Sequence, residues 1–160
     1  MMRITLILSG KIRELFFRAA ATEYAKRLSP YSKVEVIETG AHPQVDMVND
    51  LLIEQYLEKE AEVIVGRLRR DTHVVTLDER GRQLTSEEFA SYLKELMVSG
   101  ISDVTFLIGG AHGLSRSLKQ RSQMLLSLSR MTLPHQMVPM VLLEQLYRAF
   151  RIIRNEPYHR

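Results

Sequence analysis

Residues 103–113 read DVTFLIGGAHG. The apolar run over 103–108 predicts a strand, and it passes into two glycines with no polar linker between. Glycine permits positive φ and lets backbone approach a ligand closely. Just upstream, Thr85 with Glu88 three residues later forms a capping box that opens a helix, and Gly100 is its natural stop. The same strand-then-helix order recurs outward from this point. RITLILS (3–9), KVEVIE (33–38), HVVTL (73–77) and a short run over 124–128 read as further strands. Helical spacing predicts helices over 13–28, about 48–69 and 114–121, and a last helix from the 133–138 stretch to about Arg154. Residues 39–46 read as a loop, and Asp78-Glu79-Arg80-Gly81 as a turn. The alternation implies an α/β fold, a mostly parallel sheet with helices on both faces. Neither an internal repeat nor a linker divides residues 1–160, so one domain is expected.

The composition of the 160 residues is that of a globular chain, 45% apolar and 26% charged. The absence of cysteine removes disulfides, thiolate zinc sites and cysteine nucleophiles. No run approaches the roughly 20 apolar residues that cross a bilayer. The first residues also lack the apolar core of about 7–15 residues that marks a signal peptide. A cytoplasmic protein with no membrane partner is expected. Net charge is only +3, but between Arg116 and Arg160 eight basic residues face two acidic ones, Glu144 and Glu156. That concentration is compatible with an RNA partner.

Open α/β sheets bind ligands at the carboxyl ends of their strands. Three stretches fall there: Leu77 with Asp78, the turn over 109–113, and the run over 128–134. By local composition alone the glycine stretch is better read as an ordinary turn, since it matches neither GxGxxG nor GxxxxGK[ST]. His42, His73, His112, His135 and His159 have no HxxxH or HExxH spacing, so no metal is expected. None of the serines sits in a GxSxG elbow. The last helix is apolar on almost every side, with Glu144, Arg148 and Arg151 as a narrow polar stripe. One face can cover the sheet. The other needs a partner, and a two-fold dimer is the commonest solution.

The strings VVTLDERGRQLTSEEFA, FLIGGAHGL, LSLSRMTLPHQM and VLLEQLYRAFRIIRNEPYH resemble the ribosomal RNA large-subunit methyltransferase H family, a branch of the SPOUT class. The resemblance runs from the first strand to the last residue. It implies a C-terminal trefoil knot and a homodimer built through the last helix. It implies the cofactor S-adenosyl-L-methionine, yielding S-adenosyl-L-homocysteine. It further implies methylation of N3 of a pseudouridine in 23S rRNA within the assembled 70S ribosome. Carried onto this chain, Leu77, Gly109, Gly110, Leu128, Ser129, Arg130, Met131, Thr132 and Leu133 would form the cofactor pocket. Tyr158, His159, Arg160 and Arg148 would complete the site opened by the partner chain, with His159 as candidate base. Pro139 stands where the family generally has arginine. That departure motivates a second reading, a non-catalytic ribosome-associated dimer that keeps the fold. A third is a generic nucleotide-binding enzyme using the Gly109 turn for phosphates.

Overall fold

A computed structural model describes residues 1–40 and 49–160. The predicted loop over 39–46, with Pro43, lies largely outside the described residues, and the helix expected from about 48 is described from Asn49 onward. The chain runs β1 (Met2–Leu8), α1 (Leu15–Leu28), β2 (Ser32–Glu38), α2 (Asp50–Arg67), β3 (His73–Gln83), α3 (Ser86–Val98), β4 (Asp103–Ile108), α4 (Arg116–Gln120), β5 (Met124–Ser127) and α5 (Val138–Ile153). The five strands form one sheet in the order β2-β1-β4-β3-β5, and every pairing is parallel. The α/β reading with a largely parallel sheet holds.

Strand alternation sorts the core onto two faces. Ile4, Leu6, Leu8, Val75, Val104, Phe106 and Ile108 turn to the larger core with α1, α3 and α5. Ile7, Val74 and Leu107 turn to the smaller one, where Ala61 and Ile64 of α2 meet Leu118 of α4. Phe106 is fully buried and packs edge-on to Phe89 of α3. A side chain of that size contributes about 1.5–3 kcal/mol by burial. The capping box is present as predicted: Thr85 Oγ1 accepts from the Glu88 amide, and Glu88 accepts from the Thr85 amide. Gly100, at φ +81°, follows the helix end. Among the described residues no helix is long and apolar enough to cross a membrane.

Two boundaries differ from the sequence reading. The stretch over 78–81 is not a terminal turn but an irregularity inside β3. Leu77 pairs with Leu126, the register shifts, and Arg82 and Gln83 rejoin β5 at Leu126 and Ser127. Gly81 makes this possible, because a Cβ there would stand 2.7 Å from the Leu125 carbonyl carbon. Asp78 stabilises the bulge, accepting from the Arg80 amide and pairing with Lys119 Nζ of α4 at 3.1 Å. The last helix begins at Val138, the late end of its expected range, after a turn over 135–137. Pro139 sits in its first turn, where a missing N–H costs nothing. The helix is not sealed on all sides. Leu142, Leu143, Leu146, Ala149 and Phe150 are buried against the sheet, and the remaining faces are half-buried between α1 and α3.

Candidate functional site

The carboxyl ends of β4, β3 and β5 lie side by side. Thr76 pairs with Leu107, and Leu77 with Leu126. Neighbouring strands are about 4.8 Å apart, so the three strand ends fall within roughly 10 Å. Leu77, Gly109 and Leu128 are thereby brought together, which the sequence could not show. The glycine turn is folded tightly on itself. The Gly113 amide donates to the Gly110 carbonyl at 3.0 Å, and Gly113 has φ +75°. A Cβ at Gly109 would meet the Gly113 carbonyl at 2.6 Å, whereas one at Gly110 would meet only Ser9 Oγ at 3.7 Å. The facing loop is shaped by its serines. Ser127 Oγ donates to the Ser129 carbonyl at 3.0 Å, and Ser129 Oγ accepts from the Met131 amide at 2.9 Å. Leu128, Ser129 and Leu133 are half-buried, while Arg130, Met131 and Thr132 are exposed.

Between the ends of β1 and β4 lies a small cleft. Ser9, Lys11, Ile12, Gly109, His135, Gln136 and Pro139 line it. Gln136 Oε1 accepts from the amides of Arg13 and Glu14, which ties the entry to α5 to the start of α1. Ser9 Oγ donates to the buried Glu60 at 2.7 Å. Sequence reasoning singled out none of Ser9, Lys11, Gln136 or Glu60. They come from separate stretches and form no motif.

The second cluster is the C-terminal tail, folded back on its own chain. Asn155 adopts φ +54°, the Asn155 amide donates to Ile152 and the Glu156 amide to Arg151. These two bonds with a left-handed residue are a Schellman stop, with asparagine where glycine is commonest. Glu156 then pairs with Arg151 at 2.7 Å and accepts from the Tyr31 hydroxyl. Glu144 is the hub beyond it. Its Oε1 accepts from Arg148 Nε at 3.0 Å and from the Tyr158 hydroxyl at 3.1 Å. The Arg148 guanidinium lies 4.8 Å from the Tyr158 ring centroid. Burial and the nearby Glu144 carboxylate push the Tyr158 phenol up to about 12, so it is a donor and not a base.

His159 has both ring nitrogens engaged, Nδ1 by Arg148 Nη1 at 3.3 Å and Nε2 by Glu87 Oε1 at 2.7 Å. Tyr158, His159 and Arg148 do meet. Among the described residues, however, no hydrogen bond, ion pair or ring contact joins them to Gly109, Gly110 or the loop over 128–133. Arg160 has no such contact either. Glu87 escaped the sequence reading because it sits within an ordinary capping box. His73 bonds the Tyr92 hydroxyl at 2.6 Å. Among the described residues no group of three or more His, Asp or Glu could hold a metal.

Comparison with known proteins bears on this arrangement. The model of a family described as predicted SPOUT methyltransferase matches residues 2–159. A protein from Acetivibrio thermocellus named ribosomal RNA large subunit methyltransferase H is 47% identical over 159 residues, 99% of this chain and 100% of that protein. A Methanococcus maripaludis protein, named as a candidate for the same activity, is 46% identical with the same coverage. The solved structure of a probable methylase family protein from Haemophilus influenzae Rd KW20 superposes with a TM-score of 0.54 at 18% identity. It covers 96% of this chain and 66% of its own longer chain, a likeness of fold alone.

Proposed function

The chain belongs to the SPOUT methyltransferase family, and from that premise we propose that it methylates N3 of a pseudouridine in 23S rRNA. It is an S-adenosylmethionine-dependent RNA methyltransferase, and its close relatives are named for large-subunit ribosomal RNA. The proposal further includes the knotted C-terminal threading, a homodimer through α5 and the assembled 70S ribosome as substrate. The observation that carries it is the convergence of Leu77, Gly109 and the loop over 128–133 at three neighbouring strand ends.

Those residues fit the cofactor. Gly109 has to be glycine, since a Cβ there would meet the Gly113 carbonyl at 2.6 Å, and the tight turn it permits presents backbone amides and carbonyls to a bent nucleoside. Leu77, Leu128 and Leu133 offer half-buried apolar surface for the adenine. When bound, the cofactor supplies an electrophilic sulfonium methyl, which requires neither a metal nor a covalent nucleophile. The chain's own residues have two tasks, alignment and proton removal. Alignment of this kind can contribute about 7–11 kcal/mol. The pseudouridine N3 is an imide nitrogen that attacks well only once deprotonated. His159 accepts that proton, and Arg148 or Arg160 holds the imidate or a neighbouring phosphate. Because the tail is tied to its own α5, a second copy brings tail and cradle together. A net charge of +3 per chain holds naked RNA weakly, so docking on the ribosome supplies the remaining contacts.

The test is mass spectrometry of 23S rRNA from cells with and without the gene, and from ribosomes incubated with the purified protein and S-adenosylmethionine. One methyl on a pseudouridine, present only with the protein, is the expected result. A methyl on another base or on ribose would overturn the assignment. Robust methylation of protein-free RNA would overturn the ribosome as substrate.

A further inference from the structure

We infer that Glu87 is a positioning residue for the methyl transfer, fixing the orientation and tautomer of the His159 imidazole. The inference rests on the reading that His159 accepts the N3 proton. Its basis is geometric. A guanidinium only donates hydrogen bonds, so the Nδ1 that faces Arg148 Nη1 at 3.3 Å must be the lone-pair nitrogen. The ring proton then resides on Nε2 and is donated to Glu87 Oε1 at 2.7 Å. The carboxylate is itself held in place. Glu87 lies in the first turn of α3, beside the Thr85–Glu88 capping box. Ser86 Oγ donates to Gln145 Oε1 at 2.7 Å, which docks that turn on α5. The Glu87 carboxyl lies below its ordinary range, held there first by its own backbone amide and then by His159.

Glu87 approaches the His159 ring from α3, and Arg148 from α5 with Glu144 behind it. Tyr158 and Arg160 flank the ring in the tail. Arg148 is held through Nε and Nη2 by Glu144, and because its guanidinium is one rigid plane, Nη1 leaves the His159 ring only when the whole Arg148 head group swings with Glu144. The step balances as follows. The N3 proton passes to Nδ1 as the whole Arg148 guanidinium, still paired with Glu144, swings from the ring toward the developing imidate. The N3 lone pair forms the new bond to the methyl carbon, and the electrons of the broken carbon–sulfur bond return to sulfur. The imidazolium formed is stabilised at Nε2 by Glu87 and then releases its proton to water. The pairing resembles the carboxylate that orients a catalytic imidazole in hydrolase triads.

The experiment uses the full-length protein with 70S ribosomes. Nitrogen-15 spectra of the His159 ring are read alongside the pH–rate profile of wild type, Glu87→Gln and Glu87→Ala. Wild type should show the Nε2-protonated tautomer. Glu87→Gln can still accept from Nε2 and should keep that tautomer, but without the negative charge its rate profile moves to lower pH. Glu87→Ala should show mixed tautomers and a kcat lower by about ten- to a hundredfold, part of the 10²–10⁴ that a general base supplies. Its KM for ribosomes should be unchanged. Identical tautomer populations in wild type and Glu87→Ala would overturn the inference. A changed tautomer with an unchanged rate and pH profile would overturn the role of His159 as base, and positioning by Glu87 with it. Loss of pseudouridine methylation by wild type itself would reject the proposed function, whatever the spectra show.

Discussion

The turn around Gly109 and the tail around His159 are built by opposite means. The first is made chiefly of backbone: glycines, short serine-ordered loops and strand ends in register. The second is made of side chains drawn from α3, α5 and the terminus, in which Glu144 serves both Arg148 and Tyr158. A backbone cradle tolerates changes of side chain but not an added Cβ at a crowded position. A side-chain cluster tolerates backbone changes nearby but fails when its hub is removed.

The largest effect should come from adding one methyl group to the cradle. Gly109→Ala places a Cβ 2.6 Å from the Gly113 backbone. Calorimetry should show S-adenosylmethionine binding at least about tenfold weaker, with about 1–3 kcal/mol of stability lost to overpacking. Gly110→Ala, at an ordinary 3.7 Å contact, should bind nearly as wild type. Equal losses at both positions would break the contrast.

Gly81→Ala comes next. Its Cβ would stand 2.7 Å from the Leu125 backbone, and urea unfolding should show about 1–3 kcal/mol lost as β5 is pushed off β3. In the tail, Glu144→Ala removes the acceptor for Arg148 and Tyr158 and should cost about 1–2 kcal/mol. Amide exchange should rise from Glu156 onward while the glycine turn stays protected. Faster exchange in both regions would mean that they are one unit.

Asn155→Ala should cost roughly 1 kcal/mol, because alanine resists the φ of +54° that asparagine accepts. Asn155→Gly should be neutral or slightly stabilising by thermal melt. The smallest effect lies away from both regions. Burial lowers the pKa of His73 below its ordinary 6.5. The neutral ring is the favoured folded form, so its contribution is complete above about pH 6.5 and is lost as pH falls through the folded value. Urea midpoints from pH 8 to 5 should fall more for wild type than for His73→Phe.

Local chemistry made much of the fold legible. Strand–helix alternation, the Thr85 cap, the Gly100 stop and Pro139 in a first turn all follow from neighbours in sequence, and all appear in the structure. The Asp78–Gly81 stretch was misread because the same residues serve a turn and a bulge. Only the re-pairing of Arg82 with Leu126 distinguishes them. The cradle residues were legible as strand-end loops, since glycine and short loops announce themselves locally. Their meeting was not, because parallel neighbours such as β3 and β5 are separated by a helix, a strand and another helix. Glu87 beside His159, and Ser9 beside Glu60, were beyond reach for the same reason. Hydrophobic period and backbone constraint act over a few residues and are written in the chain. Which distant carboxylate meets which imidazole depends on how two helices dock, and that is settled only when the whole core has packed.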